Sequence, residues 1–333
     1  MKKIVILDGK TLGNIDLEKL NEIGEVDYYE FTSEDEVSNR IKDANIILTN
    51  KVILNEDNMK NANKLEFIAE TATGFNNIDV DYARKRGIGV SNVAGYSTSA
   101  VVQHTFAMAL GLLNEVIYHD NYVKSGEYSK SGLFTCLNRP YYEIQNKVWG
   151  IIGLGVIGRR VARIAEAFGA KVIYYSTSGR NNSSEFERVE FEELLNKSDI
   201  ISIHAPLNNN TKGLINYDAL SKMKNTAILV NMGRGPIVVE RDLSKAIDED
   251  KIRGAALDVF EIEPINEENP LLTVKNKDKL LLSPHIAWAS IEARKVLFEE
   301  VIENIKAFYR GEERNRVCIL TEIMQYSKII ENK

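Results

Sequence analysis

The sequence predicts a two-domain α/β fold built on parallel sheets, and three observations predict it. Short β-rich apolar runs alternate with helical stretches along nearly the whole chain, the pattern of βαβ units. At 333 residues the chain exceeds what one hydrophobic core usually organises. A glycine string, Gly153-Leu-Gly155-Val-Ile-Gly158, stands directly between an apolar run and a helical one.

Taken in order, strand candidates fall at 3–8, 44–49, 65–69 and 88–91, separated by helix-like segments rich in Glu, Lys and Asn. Residues 98–123 carry apolar side chains at 101, 102, 106, 109, 110, 113 and 116, a spacing that predicts one long helix leading out of the first domain. A second strand series follows at 148–152, 171–175, 199–203, 227–230, 254–257 and 280–283, six strands as a full Rossmann sheet requires. The first crossover helix of that sheet is expected over 159–168, with Gly169 ending it. Segment 292–309 is again helical, and its place after the last strand predicts a return to the first domain. The expected division is therefore a discontinuous domain, 1–99 plus 290–333, and a central domain, 100–289. No internal repeat or low-complexity linker is present, and the tail after Gly311 is too short to assign.

Composition narrows the function. With 44% hydrophobic and 27% charged residues the chain reads as globular rather than disordered. Its longest apolar runs fall far short of the roughly 20 residues of a membrane span, and residues 1–8 lack a secretory h-region. A cytoplasmic enzyme without a membrane partner is expected. The formal charge of −6, with Lys and Arg scattered, argues against a nucleic-acid partner. Cys136 and Cys318 lie far apart without zinc or disulfide spacing, so unpaired thiols and no metal site are expected.

The glycine string follows a strand and opens a helix, the setting in which it signals dinucleotide binding. Gly153 permits the tight turn, Gly155 lets backbone amides approach a pyrophosphate, and Gly158 lets helix and strand pack closely, while Val156 and Ile157, within the same string, are expected at the cofactor just ahead of the helix whose N-terminus favours phosphate. The acid that usually binds the ribose of NAD at the end of the second strand is replaced by Ser176, in Tyr175-Ser-Thr-Ser-Gly-Arg180. Ser176, Thr177 and Arg180 could hold a 2′-phosphate, which leans toward NADP; alternatively Arg180 is a solvated loop residue and the hydroxyls hold NAD.

Reducing a ketone beside a carboxylate needs a cation, a proton donor and a group that tunes the donor. Arg234 follows the fourth strand of the second series, Glu263 the fifth and His285 the sixth, all at C-terminal strand ends where open α/β sheets bind ligands. Singly each has a bland reading, as a turn residue, a surface acid or a core histidine. Together, beside a nucleotide motif, they read as a catalytic set.

From 65 to 310 the sequence resembles the D-isomer-specific 2-hydroxyacid dehydrogenase family. Six strings carry the resemblance: Thr73-Gly-Phe-Asn-Asn-Ile-Asp79, Gly153-Leu-Gly-Val-Ile-Gly158, His204-Ala-Pro-Leu207, Asn231-Met-Gly-Arg-Gly235, Asp258-Val-Phe-Glu-Ile-Glu-Pro264 and Ser283-Pro-His-Ile-Ala287. The family implies a Rossmann-type domain inserted into a smaller flavodoxin-like substrate domain, and a hydride transfer between NAD or NADP and the C2 carbon of a 2-oxo or D-2-hydroxy acid. It implies that Arg234 orients the substrate, His285 moves the proton and Glu263 pairs with His285; a carboxylate beside an imidazole favours its charged form. Cofactor contacts are implied at His204, Ala205, Pro206, Asn231, Met232, Gly233 and His285, with Asp258 near the nicotinamide end. Backbone amides around Thr73 and Gly74 are implied to hold the substrate carboxylate.

Within the family, the stretch 95–106 and Pro284-His-Ile-Ala-Trp288 are most similar to glycerate dehydrogenases, also called hydroxypyruvate reductases, so hydroxypyruvate is the first substrate expected. Trp288 shapes the substrate pocket or fills the hinge. Gln103 and Ser176 depart from the family pattern and leave substrate subclass and cofactor choice open; glyoxylate, lactate and branched 2-oxo acids are the alternatives. Gln103 and His104 read as helix packing, since His285 fills the proton-transfer role. Phosphoglycerate is disfavoured because residues 71–79 offer no cation for a phosphate ester. The family also contains nucleotide-binding corepressors, a different class of function, but nothing here resembles an added interaction segment. A homodimer is expected, with the Tyr- and Leu-rich segment 112–142 as its arm.

Overall fold

In the computed structural model, residues 1–13 and 17–317 are described. They divide into two units, Met1–Ser97 together with the chain from Ile291 onward, and Thr98–Ser290.

In the first unit, Ile4 to Ile6, Ile46 to Leu48 and Phe67 to Ala69 are fully buried, which gives the continuous apolar runs that a parallel sheet covered on both faces requires. Strands β1 (Lys2–Ile6), β2 (Gly24–Tyr28), β3 (Ile46–Thr49), β4 (Phe67–Glu70) and β5 (Gly89–Ser91) are all parallel, in the order β2-β1-β3-β4-β5. That is the flavodoxin-like order. The helix Ile291–Tyr309 belongs here: Phe308 stacks on Phe67 of β4 with ring centroids 4.6 Å apart, and buried Asn304 donates to the Asn92 carbonyl at 3.2 Å.

Strand β2 was not expected from the sequence. It is an edge strand that pairs only with β1 and carries Glu25 and Asp27, so it lacks the apolar run that marks its neighbours.

The second unit holds β6 (Val148–Ile152), β7 (Lys171–Tyr175), β8 (Glu187–Arg188), β9 (Ile200–Ile203), β10 (Ile228–Asn231), β11 (Gly254–Leu257) and β12 (Leu280–Leu282). All pairs are parallel, in the order β12-β11-β10-β9-β6-β7-β8. Alternation along the strands feeds two cores. Trp149, Ile151, Tyr174, Ile200 and Val230 face one side, and Ile152, Ile173, Ile201, Ile203 and Leu229 the other. Burying each such side chain contributes about 1.5–3 kcal/mol, and the one polar atom of Trp149 is satisfied, its indole N–H donating to Ser202 Oγ at 2.9 Å. Strand β8 is an exposed two-residue edge that six-strand counting missed. Strand order reverses at β6 and β9, which is where a doubly wound sheet opens a binding crevice.

The long helix expected over 98–123 is two helices, Thr98–Leu113 and Val116–Lys124, bent by 62°. Apolar spacing could not reveal the break, because Val116 keeps the pattern but is exposed. The break is tertiary: Glu115 takes a left-handed φ of 52° while its carboxylate meets Arg253 at 3.2 Å and Arg139 at 3.4 Å. The crossover helix likewise starts earlier than expected, spanning Val156–Ala167, with Gly169 at φ 83° just beyond it. Among the described residues no single helix is long and apolar enough to cross a membrane. Cys136 is a free thiol, and Cys318 lies outside the described residues.

Candidate active site

The glycine motif forms the tight turn between β6 and the Val156–Ala167 helix. Gly153 adopts φ 94°, and a Cβ there would lie 2.9 Å from the Ala205 backbone, so the loops after β6 and β9 touch across the switch point. A Cβ on Gly158 would meet the Gly153 carbonyl at 2.3 Å. Gly155, the helix N-cap, differs: a Cβ there would meet nothing within 4 Å, and it caps a helix with no acid in its first turn. Val156 beside it is exposed, Ile157 half-buried. Open space over main-chain N–H groups at a helix N-terminus fits the pyrophosphate of a nicotinamide dinucleotide.

This contrast gives a prediction. Gly155→Ala is expected to leave the melting temperature within about 2 °C while weakening nucleotide binding by about tenfold or more, read by fluorescence titration. Gly235→Ala, whose Cβ would lie 1.8 Å from the Phe260 carbonyl oxygen, is expected to cost about 3 kcal/mol of stability in thermal unfolding.

At the end of β7, Ser176 is buried, and its Oγ accepts from the Asn181 N–H at 3.3 Å; Thr177 is half-buried and Arg180 exposed. Two arginines that motif reading passed over lie in the same corner. Arg159 donates to Ser183 Oγ at 3.1 Å, and Arg188 to the Gly179 carbonyl at 3.1 Å, bracing the turn. After β9, burial holds the His204 imidazole down at about 3, so it is neutral at physiological pH. Its Nε2 lies 3.0 Å from Ser202 Oγ. Ala205 is buried and Pro206 exposed, the Pro206 carbonyl accepting from Thr211 Oγ1 at 2.7 Å.

The loops after β10, β11 and β12 bring the chemical groups together. Asn231 is fully buried and shapes the first: its Oδ1 accepts from the Gly233 N–H at 3.0 Å and its Nδ2 donates to the Arg234 carbonyl at 3.1 Å. Met232 and Gly233 are buried in the same turn, and Arg234 Nη1 donates to the Gly233 carbonyl at 2.8 Å. One donor is thereby used, and the guanidinium fork is held to its own loop.

His285 Nδ1 lies 2.7 Å from Glu263 Oε2, and the other oxygen of Glu263 accepts from the Phe260 N–H at 3.0 Å. A carboxylate can only accept, so Nδ1 carries the hydrogen and Nε2 is the ring nitrogen that Glu263 does not engage. His285 has a left-handed φ of 53°, a conformation that costs a non-glycine residue about 1–2 kcal/mol. Asp258 imposes it. This 1%-exposed side chain accepts from Ser283 Oγ at 2.6 Å and from the Ile286 and Ala287 N–H groups at 2.9 Å each, while its carbonyl accepts from the His285 N–H at 2.8 Å. Asp258, expected at the nicotinamide end, holds the turn that carries His285 from inside. Trp288 follows that turn, half-buried.

Thr73 and Gly74 lie in the first unit, in the loop after β4. The Thr73 hydroxyl donates to the Val93 carbonyl at 2.9 Å, and the Thr73 carbonyl accepts from Asn92 Nδ2 at 2.6 Å. With the hydroxyl engaged, a ligand at this loop would be held by the main chain. Sequence reading missed Ser283 as a contributor; its only signal was its place two residues before His285.

A switch-point glycine turn, an anion-ready helix end and an imidazole–carboxylate pair at neighbouring strand ends define an NAD(P)-dependent oxidoreductase. Residues 106–287 match the family described as D-isomer specific 2-hydroxyacid dehydrogenase, NAD binding domain. A hydroxypyruvate reductase from Blautia hydrogenotrophica is 38% identical over 323 residues, covering 95% of this chain and 99% of that protein. A glyoxylate reductase from Thermococcus litoralis is 41% identical over 270 residues, 80% of each chain. Among solved structures, an NADPH-dependent glyoxylate/hydroxypyruvate reductase from Sinorhizobium meliloti, in complex with NADP and malonate, superposes with a TM-score of 0.81 at 29% identity, covering 95% of this chain and 96% of that one. The chain belongs to the D-isomer-specific 2-hydroxyacid dehydrogenase family and is an enzyme that uses NAD or NADP.

Proposed function

We propose that this enzyme reduces hydroxypyruvate to D-glycerate, with NADPH preferred. The observation that carries the reaction class is the 2.7 Å His285–Glu263 pair, set one strand end away from the Arg234 loop. When bound, the nicotinamide supplies or accepts hydride. Arg234 pairs with the substrate carboxylate and polarises its C2 carbonyl, and His285 Nε2 gives its proton to the oxygen that becomes the hydroxyl. Glu263 keeps the imidazole in the productive tautomer. For the first unit, the same reading assigns main-chain N–H groups of Thr73 and Gly74 to an anionic group of the substrate.

The substrate rests on the 95–106 and 284–288 strings and on the relative named hydroxypyruvate reductase, matched over 95% of this chain. The relative named glyoxylate reductase, at 41% identity, favours a second reading with glyoxylate. Preference for NADPH rests on a β7 end without an acid between 176 and 180, with Arg180 exposed in the turn that Arg159 and Arg188 bind at Ser183 and Gly179. Initial rates at 340 nm with each 2-oxo acid, run with NADPH and NADH, test both points. Hydroxypyruvate is expected to exceed glyoxylate and pyruvate in kcat/KM, and Arg180→Ala to raise the KM for NADPH by about tenfold with little change for NADH. A higher kcat/KM for glyoxylate overturns the substrate, and equal effects on both cofactors overturn the role of Arg180.

A homodimer is part of the same proposal. It is supported by exposed Val116, Ile117, Val123, Leu133, Phe134 and Leu137 on the segment expected to form the arm. Sedimentation equilibrium is expected to give twice the chain mass of 37.6 kDa; a monomer at micromolar concentration removes the idea.

A further inference from the structure

We propose that His104, on the Thr98–Leu113 helix, is a positioning residue for the reaction, acting through Ser283 on Asp258 and so on the turn that presents His285. The inference rests on His285 being the proton-carrying group.

Four contacts, all within the second unit, place the relay. His104 Nε2 lies 3.0 Å from Ser283 Oγ, Ser283 Oγ lies 2.6 Å from Asp258 Oδ1, and the two carboxylate oxygens of Asp258 take the Ile286 and Ala287 N–H groups at 2.9 Å. Direction follows from proton counting. A carboxylate has no hydrogen to give, so the single hydroxyl proton of Ser283 is committed to Asp258. Ser283 Oγ therefore faces His104 as an acceptor, and His104 must carry a hydrogen on Nε2. At 3.6 Å the His104 nitrogen is too far from Asp258 for a direct hydrogen bond, so the hydroxyl is the necessary link.

The chain of donors has a mechanical consequence. His285 sits at φ 53°, which persists only where the surroundings over-determine it. Asp258 supplies that determination through its carbonyl and both carboxylate oxygens. His104 fixes the hydroxyl rotor of Ser283, hence the Asp258 carboxylate rotamer, and hence the angle at which His285 leaves the turn. A side chain that is 22% exposed and merely packed would not need a ring nitrogen aimed at a buried hydroxyl.

The test uses His104→Leu, His104→Gln, Ser283→Ala and the double variant His104→Leu/Ser283→Ala. Gln carries an amide N–H to nearly the place of Nε2. With the full chain and the 2-oxo acid it reduces, His104→Leu is expected to lose about tenfold in kcat, with nucleotide affinity and KM within twofold, while His104→Gln recovers most of the rate. Ser283→Ala is expected to lose as much as His104→Leu, and the double variant no more than either. Equal losses in the Leu and Gln variants, unchanged kcat in the Leu variant, or additive losses in the double variant would overturn the relay.

A readout independent of turnover separates this proposal from the reading beneath it. The chain has four histidines, and 15N-histidine spectra report each ring. His104→Leu is expected to shift the His285 ring signals and His104→Gln to leave them in place. An unmoved His285 in the Leu variant sinks the relay even if the protein reduces every 2-oxo acid. A moved His285 in a protein that reduces none keeps the relay and sinks the proton-transfer reading.

Discussion

Replacing His285 by asparagine is expected to lower kcat by about 10²–10⁴-fold, the contribution usual for a positioned general acid or base. Nucleotide affinity is expected to stay within about threefold, since the phosphate site proposed at the glycine turn is distinct from the β12 loop. The argument is geometric. Glu263 takes Nδ1 at 2.7 Å and Asp258 fixes the turn, so the side chain has one nitrogen for chemistry and little freedom in where it points. Asparagine is compatible with the left-handed φ at this position and preserves the fold, which makes the variant a test of the proton rather than of stability. Glu263→Gln is expected to lose less, because it keeps a hydrogen-bonding partner and removes only the charge. Unaltered turnover in His285→Asn would refute the proton-transfer role outright.

Arg234→Lys is the second large effect. It is expected to lower kcat/KM for the 2-oxo acid by about 10–10³-fold although the charge is kept, because a guanidinium fork binds carboxylate and carbonyl at two points and an ammonium at one. The loop survives the change: Asn231 ties Gly233 and the Arg234 carbonyl through the main chain, so shape does not depend on the Arg234 side chain. A loss that appears only in nucleotide affinity, with the 2-oxo acid KM untouched, would move Arg234 from substrate to cofactor. Comparing hydroxypyruvate with a 2-oxo ester that lacks the carboxylate charge isolates the pairing, since Arg234→Lys should scarcely affect the ester.

The fold class was legible because buried parallel strands must be apolar on both faces. Ile46 to Leu48, Ile200 to Ile203 and Ile228 to Val230 announce themselves as runs, and Gly153 and Gly158 are dictated by contacts of under 3 Å that no side chain could make. Two of the four edge strands were not legible. Strands Gly24–Tyr28 and Glu187–Arg188 are held by one neighbour each, and their polar residues carry no periodic signal. The break at Glu115 was invisible for a related reason: the local pattern still read as helix, and the decision came from Arg253 and Arg139, far away in sequence.

The active-site candidates show the same division. By itself the sequence determined which chemical groups are available and that they fall at strand ends, because strand order and loop position follow from local apolar patterning. Only the tertiary structure decided that Glu263 reaches His285, that Asp258 supports the turn from within, and that His104 and Ser283 join it. Those links span from 22 to 179 residues of chain, and no local propensity encodes them. They exist because the parallel sheet sets the ends of β11 and β12 side by side, and because the Thr98–Leu113 helix packs onto the same sheet with its His104 nitrogen within hydrogen-bond reach of the last strand's turn.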